Sequence, residues 1–275
     1  MKKWILYVGS TLLILAIMVQ LGWLQMIGIN RISFGGDRHD KVEQVDTQAY
    51  ITEGEVAYRV KAEGEYFYVY SPETEQWEKI FWKGVNIGAG KPGLFPGELT
   101  ISYEDYYRWF GYIAEMNCNC IRVYTTMRPQ FYQALYDYNS QTENPLYLFH
   151  GVWMDEDDIA TYADVYAENS KIKNEFIQDA LNCVDVIMGN AVLPERAGFA
   201  SGTYTANVSK WFAGWILGIE NDPKFILNTN ESNPDKNTYE GEYLYTYGST
   251  PFEAFFCEAG DKVIAHMTEQ YGIQC

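Results

Sequence analysis

The chain has 275 residues, 47% hydrophobic and 16% aromatic, with 23 tyrosines and 8 tryptophans, which is ample for a large core and excludes disorder throughout. Its formal net charge of −17 excludes a nucleic-acid partner, because phosphate backbones are held by clustered lysine and arginine. Acidity with abundant rings suits a protein that handles neutral sugars, where rings stack on sugar faces and carboxylates do chemistry, and equally suits an aromatic-rich core.

Lys2 and Lys3 precede a run from Trp4 to about Leu24 that holds no charged residue, and about 20 apolar residues span a bilayer core. Residues 1–30 are therefore expected to be a transmembrane anchor, with membrane contact through 4–27. The leading lysines predict a single-pass protein of the cell membrane with its C-terminal body outside the cytoplasm. A cleaved signal peptide is the alternative, although no small-x-small cleavage site stands out after Leu24. Residues 31–54 are polar and glycine-containing and are expected to be a linker.

Cys118, Cys120, Cys183, Cys257 and Cys275 form no CxxC pair, and three scattered histidines, His39, His150 and His266, complete no ligand set. No metal and no cofactor is expected.

In 55–82, Tyr66, Tyr68 and Tyr70 alternate with Phe67 and Val69 ahead of Ser-Pro-Glu-Thr-Glu, which predicts a β-hairpin lead-in. From Lys83 short apolar runs alternate with helical stretches. Strands are predicted at 83–88, 119–125, 145–153 and 213–219. Helices are predicted at 102–116 with Ser102 and Asp105 at capping spacing, at 129–139 behind Pro129, at 174–190, and at 251–271. This βα alternation with near-continuous apolar strands predicts an α/β fold with a parallel sheet covered on both faces. A nucleotide-binding open sheet is disfavoured: after Gly88 and Gly90 come Lys91-Pro92-Gly93, and Pro92 interrupts the row of backbone donors that would cradle phosphate. A barrel places its chemistry at the C-terminal strand ends, where Asn86, Arg122, Trp153 and Glu220 fall.

Period-two alternation puts Cys120, Arg122 and Tyr124 on one strand face and Ile121 with Val123 on the other. The apolar pair is expected to pack on helices, so Arg122 points inward, either to a site or to a structural ion pair. Parity groups Glu220 with Ile216 and Gly218. Trp153 and Tyr124 are candidates either for stacking on a sugar or for the core. Met154-Asp155-Glu156-Asp157-Asp158 is expected to be a solvated loop, and Glu98 lies in the loop after the first strand.

The segments "GVNIG", "NCIRVYT" and "GWILGIE", in this order, resemble strands one, two and four of the clan A glycoside hydrolases, retaining (β/α)8 glycosidases that include the family 2 barrels. "GVNIGAGKPGLFPGE", "DYYRWF", "IRVYT" and "LFHGVW" resemble more narrowly a membrane-associated, family 2-like bacterial group. The resemblance covers roughly 80–275 and implies Glu220 as general acid/base and Arg122 as the arginine that orients the nucleophile, while Ile219 stands where the clan carries Asn. It further implies glycan as partner, for which Asn86, Tyr124 and Trp153, by their places at the strand ends, are the candidate substrate-binding residues. Ile219 and Trp215 would favour a protonated Glu220, and a leaving glycosidic oxygen needs that proton.

Retaining hydrolysis needs a second carboxylate about 5–5.5 Å away, which the resemblance assigns to strand seven. Four βα units fill 83–275, so the expected fold is the N-terminal half of a TIM barrel, truncated and nearly inactive by itself. The expected function of the intact protein is a retaining β-glycoside hydrolase or transglycosylase. The alternative is a non-catalytic glycan-binding or envelope scaffold protein.

Overall fold

The computed structural model describes residues 50–53, 56–218 and 220–275. Ile51–Glu53 (β1) and Val56–Tyr58 (β2) pair antiparallel. Val60–Glu63 (β3), Tyr66–Ser71 (β4) and Gln76–Ile80 (β5) make a second antiparallel sheet, in which β4 and β5 form the hairpin anticipated around Ser-Pro-Glu-Thr-Glu. Its turn is held by Ser71 Oγ, which donates to Glu73 and accepts from the Thr74 N–H.

The central sheet is parallel. Gly84–Ile87 (β6), Cys120–Val123 (β7), Tyr147–Val152 (β8) and Phe212–Leu217 lie side by side in chain order. Helices Tyr103–Glu115 (α1) and Pro129–Asn139 (α2) connect the first three strands. Ser102 starts α1 by accepting the Asp105 N–H, and Tyr106, Phe110 and Ile113 form its buried stripe. Pro129 starts α2, which buries Phe131, Tyr132 and Leu135. Each such side chain contributes about 1.5–3 kcal/mol by leaving water.

Between β8 and the fourth parallel strand run Glu156–Tyr162 (α3), Ala167–Ile187 (α4) and a hairpin of Ala191–Leu193 (β9) with Gly202–Tyr204 (β10). Phe212–Leu217 (β11) is followed by Pro223–Ser232 (α5), Pro251–Tyr271 (α6) and Ile273–Gln274 (β12). Thr250 and Glu253 form a reciprocal cap at the start of α6, and Gly272, at φ 67°, ends it.

The parallel sheet has two unlike faces. Rows Val85–Ile121–Leu148–Phe212 and Ile87–Val123–His150–Trp215 share one face. On it Ile121, Val123, Leu148, His150 and Phe212 are buried. The row Asn86–Arg122–Phe149–Gly214 belongs to the opposite face and is exposed or half-buried throughout. Trp82 covers part of that face, with ring centroids 5.3 Å from both Tyr147 and Phe149.

The expected half of a (β/α)8 barrel over 83–275 is corrected: the chain is a mixed α/β fold of several small sheets, one of them the four-stranded parallel sheet. Ile273–Gln274 stands where a fifth barrel strand would extend the sheet beyond β11, yet it pairs parallel with β2. Gly272 makes this possible, because its left-handed φ swings the chain away from α6 and its carbonyl accepts the Ala57 N–H at 2.9 Å. Ile273 is buried there. The β9–β10 hairpin also interrupts the passage from helix to strand that a barrel unit makes directly.

The single-pass cell-membrane placement is corrected to this extent: among the described residues no helix is long and apolar enough to cross a membrane. The expected anchor, 4–27, lies outside the described residues. The stretch expected to be a linker as far as residue 54 contains β1. The acids after Trp153, expected as a solvated loop, open α3 instead, because Asp155 accepts the backbone N–H groups of Asp157 and Asp158 at 3.0 and 3.1 Å.

Candidate functional site

The C-terminal end of the parallel sheet gathers four of the five residues singled out in the sequence. Strand register sets Asn86 directly beside Arg122. Two residues on, Tyr124 lies under the Arg122 guanidinium, whose carbon is 4.7 Å from the ring centroid. The Tyr124 and Trp153 rings then meet edge to face at 6.3 Å. Asn86 is exposed, and Arg122, Tyr124 and Trp153 are half-buried.

Gly151 explains why Tyr124 and Trp153 come so close. A Cβ at that position would stand 2.5 Å from the Tyr124 carbonyl oxygen and 2.8 Å from that of Val123, so only glycine lets β8 approach the end of β7 here. Gly214 occupies the last place of the row that contains Arg122, and with no side chain it leaves the row open at that end.

Arg122 makes no ion pair among the described residues, and its Nε is enclosed without an acceptor. A structural ion pair therefore does not account for it within the described residues. The ring beneath offsets part of the burial of its charge, but an enclosed donor left without an acceptor costs about 1–3 kcal/mol. Trp82 Nε1 is enclosed in the same way on the same sheet face.

Beyond Trp153 the sheet edge runs into a small pocket that Trp153 shares with Asp155, Asp158, Glu175, Asp179 and Arg196. Two cations face these four acids. Lys171 pairs with Asp158 and, at 3.0 Å, with Glu175, while Arg196 reaches Asp179 at 3.3 Å. Burial raises the Asp179 pKa, Arg196 partly opposes this, and neighbouring Glu175 and Asp155 add to it. Among the described residues no group of three or more His, Cys, Asp or Glu could hold a metal ion, and all five cysteines are free thiols.

Glu220 stands apart from this line. It is exposed and takes part in no hydrogen bond or ion pair among the described residues. Strand parity, from which its orientation was expected, stops at Leu217, because Gly218 turns the chain at φ 75°. A side chain at Gly218 would also strike the Phe256 ring at 2.6 Å. Of the residues expected to shelter Glu220, Ile219 lies outside the described residues. Trp215 is engaged elsewhere, against Phe212 at 4.6 Å and His150 at 6.0 Å, with its indole N–H donating to Met267 Sδ. Glu98 caps its own turn by accepting the Phe95 N–H at 2.8 Å.

Behind the site, on the helix-covered face, lies a polar pair that sequence reasoning did not single out, Tyr132 and His150. A tyrosine on the buried stripe of α2 and a histidine inside an apolar strand were its only signals. The signal for Gly151 was a glycine within a strand. Comparison of the chain with protein-family models, with curated proteins and with solved structures gave no match.

Proposed function

We infer that the protein binds a glycan at the C-terminal end of its parallel sheet. The observation that carries this is the continuous run of Arg122, Tyr124 and Trp153, a guanidinium over a ring and that ring against a second. Half-buried aromatic side chains offer flat apolar surface to the C–H faces of a sugar, and Asn86 and Arg122 add donors suited to hydroxyl or acidic oxygens. Titration calorimetry of the chain against neutral and uronate β-linked oligosaccharides tests this. Measurable binding, weakened about tenfold by Trp153→Ala, is expected from the loss of one central aromatic contact. Absence of binding to every member of the panel removes the proposal.

A second reading is retaining β-glycoside hydrolysis or transglycosylation with Glu220 as general acid/base and Arg122 orienting the nucleophile. It is favoured by the place of Glu220 three residues beyond the end of β11, the strand adjacent to β8, just beyond which Trp153 stands. The chemistry also needs a second carboxylate about 5–5.5 Å away. Turnover of aryl β-glycosides that Glu220→Gln abolishes would favour this reading. Turnover that survives the substitution would count against it.

A further inference from the structure

We propose that the ligand of this site carries a carboxylate, and that Arg122 receives it, so that the preferred glycan contains uronic acid residues. The inference rests on the glycan-binding reading above and concerns which glycan is taken. A guanidinium has two kinds of surface, a π face and an edge of N–H donors in its plane. Tyr124 occupies the face, at 4.7 Å from the guanidinium carbon. A ring under the face supplies no acceptor to the edge, and among the described residues no carboxylate pairs with Arg122. Its Nε is enclosed without a partner while the side chain as a whole keeps contact with solvent. The nearby acids are already engaged: Lys171 and Arg196 hold Asp158, Glu175 and Asp179, and Asp155 accepts the backbone N–H groups that open α3.

A planar anion matches the two terminal Nη groups rather than the enclosed Nε, because a carboxylate can meet both through parallel, charge-assisted hydrogen bonds. Asn86, next to Arg122 in register and exposed, is placed to contact oxygens beside that anion. The overall charge of −17 does not prevent this, since charges more than about 8 Å away are largely screened at physiological ionic strength.

The test is calorimetric titration of the chain with a β-linked tetra-uronate and with its carboxyl-reduced, neutral counterpart. The uronate should bind about tenfold tighter or better, as expected for a hydrogen bond to a charged group. Arg122→Met, of similar length and uncharged, should bring the ratio of the two affinities close to one, and Arg122→Lys should leave an intermediate ratio. Circular dichroism establishes which variants fold, and should the methionine variant fail to fold, the lysine variant decides by the same ratio. Equal affinities in the unsubstituted protein, or a uronate preference that the Arg122 variants retain in full, would overturn the proposal while leaving glycan binding intact. Absence of binding to both sugars would overturn it together with the reading on which it rests.

Discussion

The Tyr132 hydroxyl lies 2.7 Å from His150 Nε2, with both side chains buried in the core. The direction of each hydrogen bond follows from the partners. His150 Nδ1 faces the Gly151 carbonyl at 2.8 Å and must donate to it. In a neutral ring Nε2 is then the acceptor, so Tyr132 donates to it, and the phenol oxygen accepts the Met127 N–H at 3.1 Å. Every polar atom of the pair is thereby used. The chain ties α2 to β8 directly behind the residues that carry the candidate site.

Tyr132→Phe conserves shape but removes both the donor to His150 and the acceptor for Met127. It should destabilise the fold by about 1–3 kcal/mol, the cost of leaving buried polar groups unsatisfied. Urea unfolding checks this, and an unchanged midpoint would show that the hydroxyl contributes little to stability.

His150 also predicts an acid limb. Burial lowers its pKa from 6.5 to about 4, so in between those values the unfolded chain binds a proton that the folded chain refuses. Stability from this group is complete above pH 6.5 and is lost as pH falls toward 4. The loss is on the order of 3 kcal/mol at 1.36 kcal/mol per unit. Unfolding free energies across this window should slope upward with pH in the native protein, and more shallowly in His150→Gln.

Local chemistry made much of the fold legible. Pro129 marks the start of α2, and the bounds expected for α2 and α6, 129–139 and 251–271, are those of the structure. The apolar runs identify the parallel strands. By contrast β12 is two residues long and is defined by a partner near the other end of the described chain, so no periodicity announces it. The three-residue strands β9 and β10 are equally silent. Helix α5 carries a local signal as well, Asp222 as cap and Pro223 at its first position. Alternation on β7 brought Arg122 and Tyr124 to one face, but the orientation of Glu220 was read through Gly218, where the alternation ends.

Asp261 organises the loop ahead of α6, and its dependence on acid is opposite in origin to that of His150. The carboxylate is buried and accepts the Tyr243 and Leu244 N–H groups at 2.7 and 2.9 Å and the Tyr239 hydroxyl at 2.9 Å. Burial raises its pKa, but the bonds from Leu244, Tyr243 and Tyr239 outweigh it, so the net shift is downward. Its contribution is present above the unfolded carboxylate range and is lost as pH falls through the folded value. Asp261→Asn, which keeps the oxygen that accepts both N–H groups, should flatten that part of the acid limb. Gly241→Ala should cost about 1–3 kcal/mol by overpacking, because its Cβ would lie 2.3 Å from the Asp261 carboxylate. Chemical unfolding at fixed pH and as a function of pH reads both.

Gly151 joins fold and site, and its substitution separates stability from binding. A methyl group at 2.5 Å from the Tyr124 carbonyl oxygen cannot be relieved by a side-chain rotation, because the obstacle is backbone. In Gly151→Ala, β8 must therefore move away from the end of β7, carrying Trp153 from the Tyr124 ring that it now meets at 6.3 Å. The expected cost is about 1–3 kcal/mol of stability, and the glycan binding proposed above should weaken even under conditions where the variant is fully folded. Arg122 should be less affected than Trp153, since its register with Asn86 is set by the opposite edge of β7. Calorimetry of the folded variant should then show a general loss of affinity with the uronate preference retained. Affinity equal to that of the unsubstituted protein would mean that the contact between Tyr124 and Trp153 does not shape the binding surface.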